Sequence, residues 1–90
     1  MNEKRLLTFY PVAWKQYVSW QTQGHRYVKR INKLIKSALH DGYNHGIGKP
    51  EHLRYYPHNV WSRRITKKDR LVYVVKSDLV IIASCRYHYS

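Results

Sequence analysis

Between residues 26 and 39 apolar side chains recur at intervals of three and four. Tyr27, Val28, Ile31, Leu34, Ile35, Ala38 and Leu39 share one face, while Lys29, Arg30, Lys33 and Lys36 project elsewhere. That period predicts a helix of about four turns whose apolar face needs a second layer to lie against. A shorter helix should precede it. Residues 5–10 read as a strand stopped by Pro11, and Pro11 suits an early helical position where its missing N–H costs nothing. Trp14, Tyr17 and Val18 then fall at helical spacing as an apolar stripe, with Trp20 beside it. Gly24 breaks the pattern, so the two helices are predicted to form an antiparallel hairpin. Residues 42–50 hold three Gly, a Pro, an Asn and a His, a composition that favours an irregular loop.

The remainder reads as strands over residues 53–56, 60–66, 70–76 and 79–87. Lys67-Lys68-Asp69 and Ser77-Asp78 supply tight turns, so the last three strands are expected to form an antiparallel meander. With the first strand added, five strands covered on one side by the helical pair make an α+β fold: a small antiparallel, partly mixed sheet packed on two N-terminal helices. Strand parity sorts the side chains. Leu71, Tyr73 and Val75 alternate with Arg70, Val72, Val74 and Lys76, and Ile81, Ala83, Cys85, Tyr87 and Tyr89 alternate with Val80, Ile82, Ser84, Arg86 and His88. Each strand thus has an apolar face for the helices and a second face carrying Arg or His toward one end. Ser62, Arg64 and Thr66 oppose Trp61, Arg63 and Ile65, so one of the two neighbouring arginines must project from each face.

Ninety residues fit one domain, 1–90, with a thin core. Its 17 Lys and Arg stand against 5 Asp and Glu, a net charge of +12. The halves 1–45 (8 basic, 2 acidic) and 46–90 (9 basic, 3 acidic) each carry +6, so there is no detachable basic tail. Such a charge calls for a polyanionic or acidic partner, and nine Tyr, three Trp and one Phe offer stacking surfaces. The single cysteine, Cys85, excludes an internal disulfide and a cysteine metal site. No apolar stretch approaches the roughly 18 residues that span a bilayer, and the polar start precedes too short an apolar run for a signal peptide. No membrane role and a cytoplasmic location are expected.

Glu51 stands apart in the basic second half, because Asp69 and Asp78 already have turn explanations. It either balances charge at a strand start or serves as a carboxylate base beside Arg54. His88, between Tyr87 and Tyr89, is either a surface histidine or a proton donor. A histidine donor must be imidazolium, a form that nearby arginines disfavour until a phosphate arrives between them. His25, His40, His45, His52 and His58 are scattered, with no acidic or cysteine cluster to complete a metal site, so no cofactor is expected. A base, an acid and arginines such as Arg70 and Arg86 suit attack of an RNA 2'-hydroxyl on its own adjacent phosphate, which needs only proton transfers and charge stabilisation. A non-catalytic RNA-binding module would keep the basic residues without needing Glu51 or His88.

Four ordered segments carry a resemblance: Gly48-Lys49-Pro50-Glu51-His52-Leu53, Trp61-Ser62-Arg63-Arg64-Ile65-Thr66, Asp69-Arg70-Leu71-Val72-Tyr73 and Ala83-Ser84-Cys85-Arg86-Tyr87-His88-Tyr89. Together with Trp14, Tyr17, Trp20, Gln21 and the run from Val28 to Lys36, they resemble the YoeB/Txe toxins of the RelE superfamily over nearly the whole chain. The resemblance implies a ribosome-dependent endoribonuclease that cuts messenger RNA in the ribosomal A site. It also implies inhibition by a cognate antitoxin of the YefM/Phd type, and pairing of two copies through helical faces at Trp14 or Trp20. By the same resemblance Glu51 is the general base, Arg70 stabilises the scissile phosphate and His88 is the general acid. Tyr89 orients the RNA, and Arg64 and Arg63 are further phosphate contacts, with Arg54 and Arg86 as additional basic positions near the substrate. Two departures stand out: His52 replaces the proline that commonly follows the glutamate, and Ser90 extends the chain beyond the terminal tyrosine.

Overall fold

The computed structural model describes residues 5–87. Strand β1 (Leu6–Phe9) is followed by helices α1 (Pro11–Trp20) and α2 (His25–His40), then by β2 (Glu51–His52), β3 (Val60–Arg64), β4 (Arg70–Val75) and β5 (Leu79–Ser84). The five strands form one sheet in the order β1-β5-β4-β3-β2. β3, β4 and β5 make the expected antiparallel meander, and β1 adds to β5 in parallel, so the sheet is mixed. A parallel pair needs a long crossover rather than a tight turn, and here the chain from α1 to β4 supplies it.

The helices cover one sheet face. Ile31, Leu34, Ile35 and Ala38 of α2 and Ala13 and Trp20 of α1 bury against Leu71, Tyr73, Val75, Val80 and Ile82. The periodicity of α2 translates directly into this core, but that of α1 does not. Ala13 and Trp20 are its buried residues, while Trp14 is 52% exposed and Val18 is exposed as well. Polar contacts fix this rotation of α1: Trp20 Nε1 donates to the Cys85 carbonyl at 2.7 Å, and Gln16 Oε1 accepts from the Cys85 N–H at 2.7 Å. Those bonds also end β5 early, drawing residues 85–87 toward α1 where the sequence predicts continued strand.

Residues 53–56 are a turn rather than the predicted strand. Pairing with β3 covers Glu51 and His52, and the Leu53 N–H still reaches the Val60 carbonyl at 2.9 Å. Then the Tyr56 N–H turns back to the Leu53 carbonyl at 3.2 Å. Leu53 and Tyr56 read as strand because they are apolar. In fact they pack on Val60, Val72, Val74 and Ile81 as a small second core on the face that the helices leave open. Among the described residues no helix is long and apolar enough to cross a membrane.

Candidate active site

Strand pairing decides which side chains meet on the open face. Glu51 lies opposite Ser62, and Arg64 opposite Arg70. Ser62 and Arg64 share a parity along β3, so Glu51, Arg64 and Arg70 project from the same face of three adjacent strands. Strands stand about 4.8 Å apart, which places the backbone of Glu51 roughly 10 Å from β4, a span that a ribose and its phosphate can bridge. These residues, with His52, Leu53, Arg54, Tyr55 and Ser62, line a cleft of about 410 Å³. Like charges directly opposite on neighbouring strands destabilise a sheet. The Arg64–Arg70 pair is therefore an arrangement that an anion would relieve.

Both arginines are held from behind. Arg70 Nη1 donates to the carbonyls of Thr66, Lys67 and Asp69 at 3.0, 3.2 and 3.3 Å, which fixes the half-buried guanidinium at the β3–β4 turn. The Arg64 N–H donates to the Gly48 carbonyl at 2.8 Å, and its own carbonyl accepts from Arg30 Nη2 at 2.9 Å. The first of these bonds ties β3 to the loop that delivers Glu51. Gly48 itself has φ +86°, and a Cβ there would collide with Leu34 Cδ2, so the loop can press this closely on α2 only at a glycine. Lys49 follows with φ 53°, a rare conformation for an L-residue and one that clusters near functional positions.

His88 and Tyr89 lie outside the described residues. The chain approaches them under tight control: the Tyr87 N–H donates to Asp69 Oδ1 at 2.7 Å, and the Tyr87 carbonyl accepts from the Arg70 N–H at 3.1 Å. Tyr87 has φ 65°, so these two bonds hold a sharp turn beside the backbone of Arg70.

Two arginines expected near the substrate are placed elsewhere. Arg63 is fully buried on the helix side of the sheet, because it shares parity with Trp61 and pairs with Leu71, both of which face the helix-side core. Its Nε donates to Tyr73 Oη, its Nη1 to Ser37 Oγ and the Ile47 carbonyl, and its Nη2 to the carbonyls of Gly42 and His45. All five guanidinium donors are thereby used within the protein, so Arg63 is not a phosphate contact. Burial raises the Tyr73 pKa above its ordinary value, and the hydrogen bond from Arg63 opposes that rise. Arg86 lies over the Trp20 ring at 3.9 Å and donates to Ser19 Oγ. It is drawn to α1 and is not among the residues lining the cleft.

His52 pairs with Trp61 and stacks on its indole, with centroids 4.9 Å apart and planes 15° apart. Parity turns this ring toward Trp61 and away from Glu51, so the departure from proline adds a packing contact at the edge of the cleft. Cys85 is buried, and burial pushes its thiol up to about 12, with Arg86 opposing and Asp69 adding to the rise. A thiol so placed is not a nucleophile at neutral pH. Among the described residues no three His, Cys, Asp or Glu side chains gather in a way that could hold a metal.

A mixed five-stranded sheet with two helices on one face and a basic cleft on the other is the architecture of the RelE-like toxins. Residues 9–89 match the YoeB-like toxin of bacterial type II toxin-antitoxin system, and the chain belongs to that family. The toxin YoeB of Escherichia coli (strain K12) is 48% identical over 77 residues, which cover 86% of this chain and 90% of the relative. The structure of the YoeB dimer from Staphylococcus aureus matches with a TM-score of 0.87 and 43% identity, covering 96% of this chain and 99% of that one. The YoeB-YefM complex from Staphylococcus aureus matches with a TM-score of 0.83 and 44% identity, covering 94% and 98%.

Proposed function

We propose that this chain is an endoribonuclease that cuts messenger RNA in the ribosomal A site without calling on a metal, and so stops translation. The observation that carries the reading is the convergence of Glu51, Arg64 and Arg70 on one open sheet face, in one cleft. Glu51 takes the proton of a 2'-hydroxyl, and the freed oxygen attacks the adjacent phosphorus. Arg70 and Arg64 offset the charge that gathers on the phosphoryl oxygens. His88 gives a proton to the departing 5'-oxygen, and Tyr89 orients the strand. The upstream fragment then ends in a 2',3'-cyclic phosphate or its hydrolysed 3'-phosphate, and the downstream fragment in a 5'-hydroxyl. An open, shallow face holds the reacting atoms in line only with help, and such positioning is worth several kcal/mol. Free RNA is therefore cut poorly, and the ribosome supplies the missing walls. Single-turnover cleavage of a defined messenger on programmed ribosomes, with end-group analysis of both fragments, tests this directly. Fragments carrying a 5'-phosphate and a 3'-hydroxyl would rule the mechanism out.

Two protein partners belong to the same reading. An antitoxin of the YefM/Phd type, acidic where it touches the toxin, covers the basic face and silences it; that YoeB of Staphylococcus aureus forms a complex with YefM supports such a partner. A second copy of the chain docks through α1; the YoeB of the same organism is a dimer, which supports pairing, and the exposed apolar side chains of α1 suggest where. Trp20 is 2% exposed and bonded to Cys85, so it cannot form that contact, whereas Trp14 is half exposed over Phe9 and Tyr17. Trp14→Ala should shift sedimentation at micromolar concentration toward the 10.9 kDa species. Unchanged sedimentation of a dimeric wild type and variant would remove Trp14 from the interface.

A further inference from the structure

The cleft contains an aromatic residue that the proton-transfer scheme does not use. Tyr55 lies on the turn after β2, lines the same cleft as Glu51, Arg54, Arg64 and Arg70, and is 62% exposed. Its ring is not loose. It leans on Tyr56, with centroids 4.8 Å apart and planes inclined by 37°, and Tyr56 is packed against the second core under the turn. A half-buried neighbour thus props an exposed ring at the edge of a cationic cleft. His52, the other aromatic residue along the cleft, has its ring engaged by Trp61 on the opposite face.

Single-stranded RNA is held by this pairing of features: cations along the phosphates and an aromatic plane for an unstacked base. We infer that Tyr55 is a substrate-positioning residue, on whose ring a nucleobase of the bound strand stacks while Arg54, Arg64 and Arg70 hold its phosphates. The inference rests on the nuclease reading given above. Stacking accepts any base, because each has a π-face, so Tyr55 sets the position of the strand rather than its sequence. It acts on substrate binding and leaves the proton transfers to other groups.

The test measures KM and kcat on programmed ribosomes for wild type, Tyr55→Phe and Tyr55→Ala. Each is run with an intact messenger and with messengers made abasic at one codon position at a time. Loss of one base–aromatic stack should raise KM for Tyr55→Ala by about 5- to 100-fold with kcat nearly unchanged, and Tyr55→Phe should match wild type. At one abasic position wild type should lose the same factor, and Tyr55→Ala should lose nothing more there. That arm leaves the protein unaltered, so it does not depend on how the variants fold. Wild type that cuts the intact messenger, with Tyr55→Ala at wild-type KM or with losses that simply add at every abasic position, overturns the stacking role alone. Wild type that leaves the intact messenger uncut on ribosomes overturns the nuclease reading itself.

Discussion

Glu51→Gln is expected to reduce messenger cleavage on ribosomes by about 10²- to 10⁴-fold, the usual contribution of a positioned general base. The amide keeps the size and the hydrogen-bonding reach of the carboxylate but cannot accept the proton. Glu51 is exposed at an edge strand and pairs with Ser62 through its backbone, so the fold should not notice the change. Ribosome binding should hold or tighten slightly, because one of only five acidic groups is lost from a chain of net charge +12. Arg70→Ala should lower single-turnover cleavage by roughly 10²- to 10³-fold, in line with the loss of one fixed group facing the transition state. Arg70→Lys should recover little of this, since a single ammonium cannot hold three turn carbonyls and also present a fork to phosphate. Cleavage by Glu51→Gln within tenfold of wild type, at saturating enzyme, would take the base role away from Glu51.

How far the sequence discloses this arrangement differs from element to element, for physical reasons. Helix α2 is legible because its apolar residues keep one period over four turns and meet a single surface. The position of helix α1 is legible from Pro11 and Gly24, but its rotation is not, because Trp14 and Val18 of its apolar stripe are exposed. Its orientation follows from two hydrogen bonds to Cys85, sixty-five and sixty-nine residues away from Trp20 and Gln16. The alternation in β4 separates core from open face correctly, but β5 is turned over: Val80 and Ile82 meet the helices while Ile81 and Ala83 face the open side, because the polar end of β5 leaves the sheet before it can set the strand's facing. The alternation along β3 distinguishes Arg64 from Arg63 once the face shared by Trp61 and Ile65 is taken as inward. Local composition could not show that residues 53–56 form a turn. Leu53 and Tyr56 are apolar because they seal a small core, which is the same signal a strand gives. Reading them as strand conceals Tyr55, whose exposure at the cleft depends on that turn.

Arg63 shows why a buried cation can matter more to this protein than an exposed one. Among the described residues no carboxylate pairs with it; its charge is spread over three loop carbonyls and two hydroxyls. Ser37 passes part of it to Asp41 Oδ2 at 2.7 Å, and Tyr73 passes part to the Tyr43 carbonyl at 2.6 Å. Every one of these acceptors belongs to α2, β4 or the loop that connects α2 to Glu51. Removing the guanidinium leaves buried acceptors that only loop opening can hydrate. Arg63→Ala should therefore cost about 3 to 5 kcal/mol, because several buried acceptors lose their donor and each left unsatisfied costs about 1 to 3 kcal/mol. A small domain has only about 5 to 15 kcal/mol to lose. Arg63→Lys should recover less than half, because one ammonium with three donors cannot replace a fork of five. Urea unfolding gives the free energy, and hydrogen exchange gives the location. The Ile47 amide, bonded to Ser37 Oγ, and the Arg64 amide, bonded to the Gly48 carbonyl, should lose protection before the β4 amides do. An Arg63→Ala protein of wild-type stability, with those two amides still protected, would mean that the loop is held by something other than this arginine.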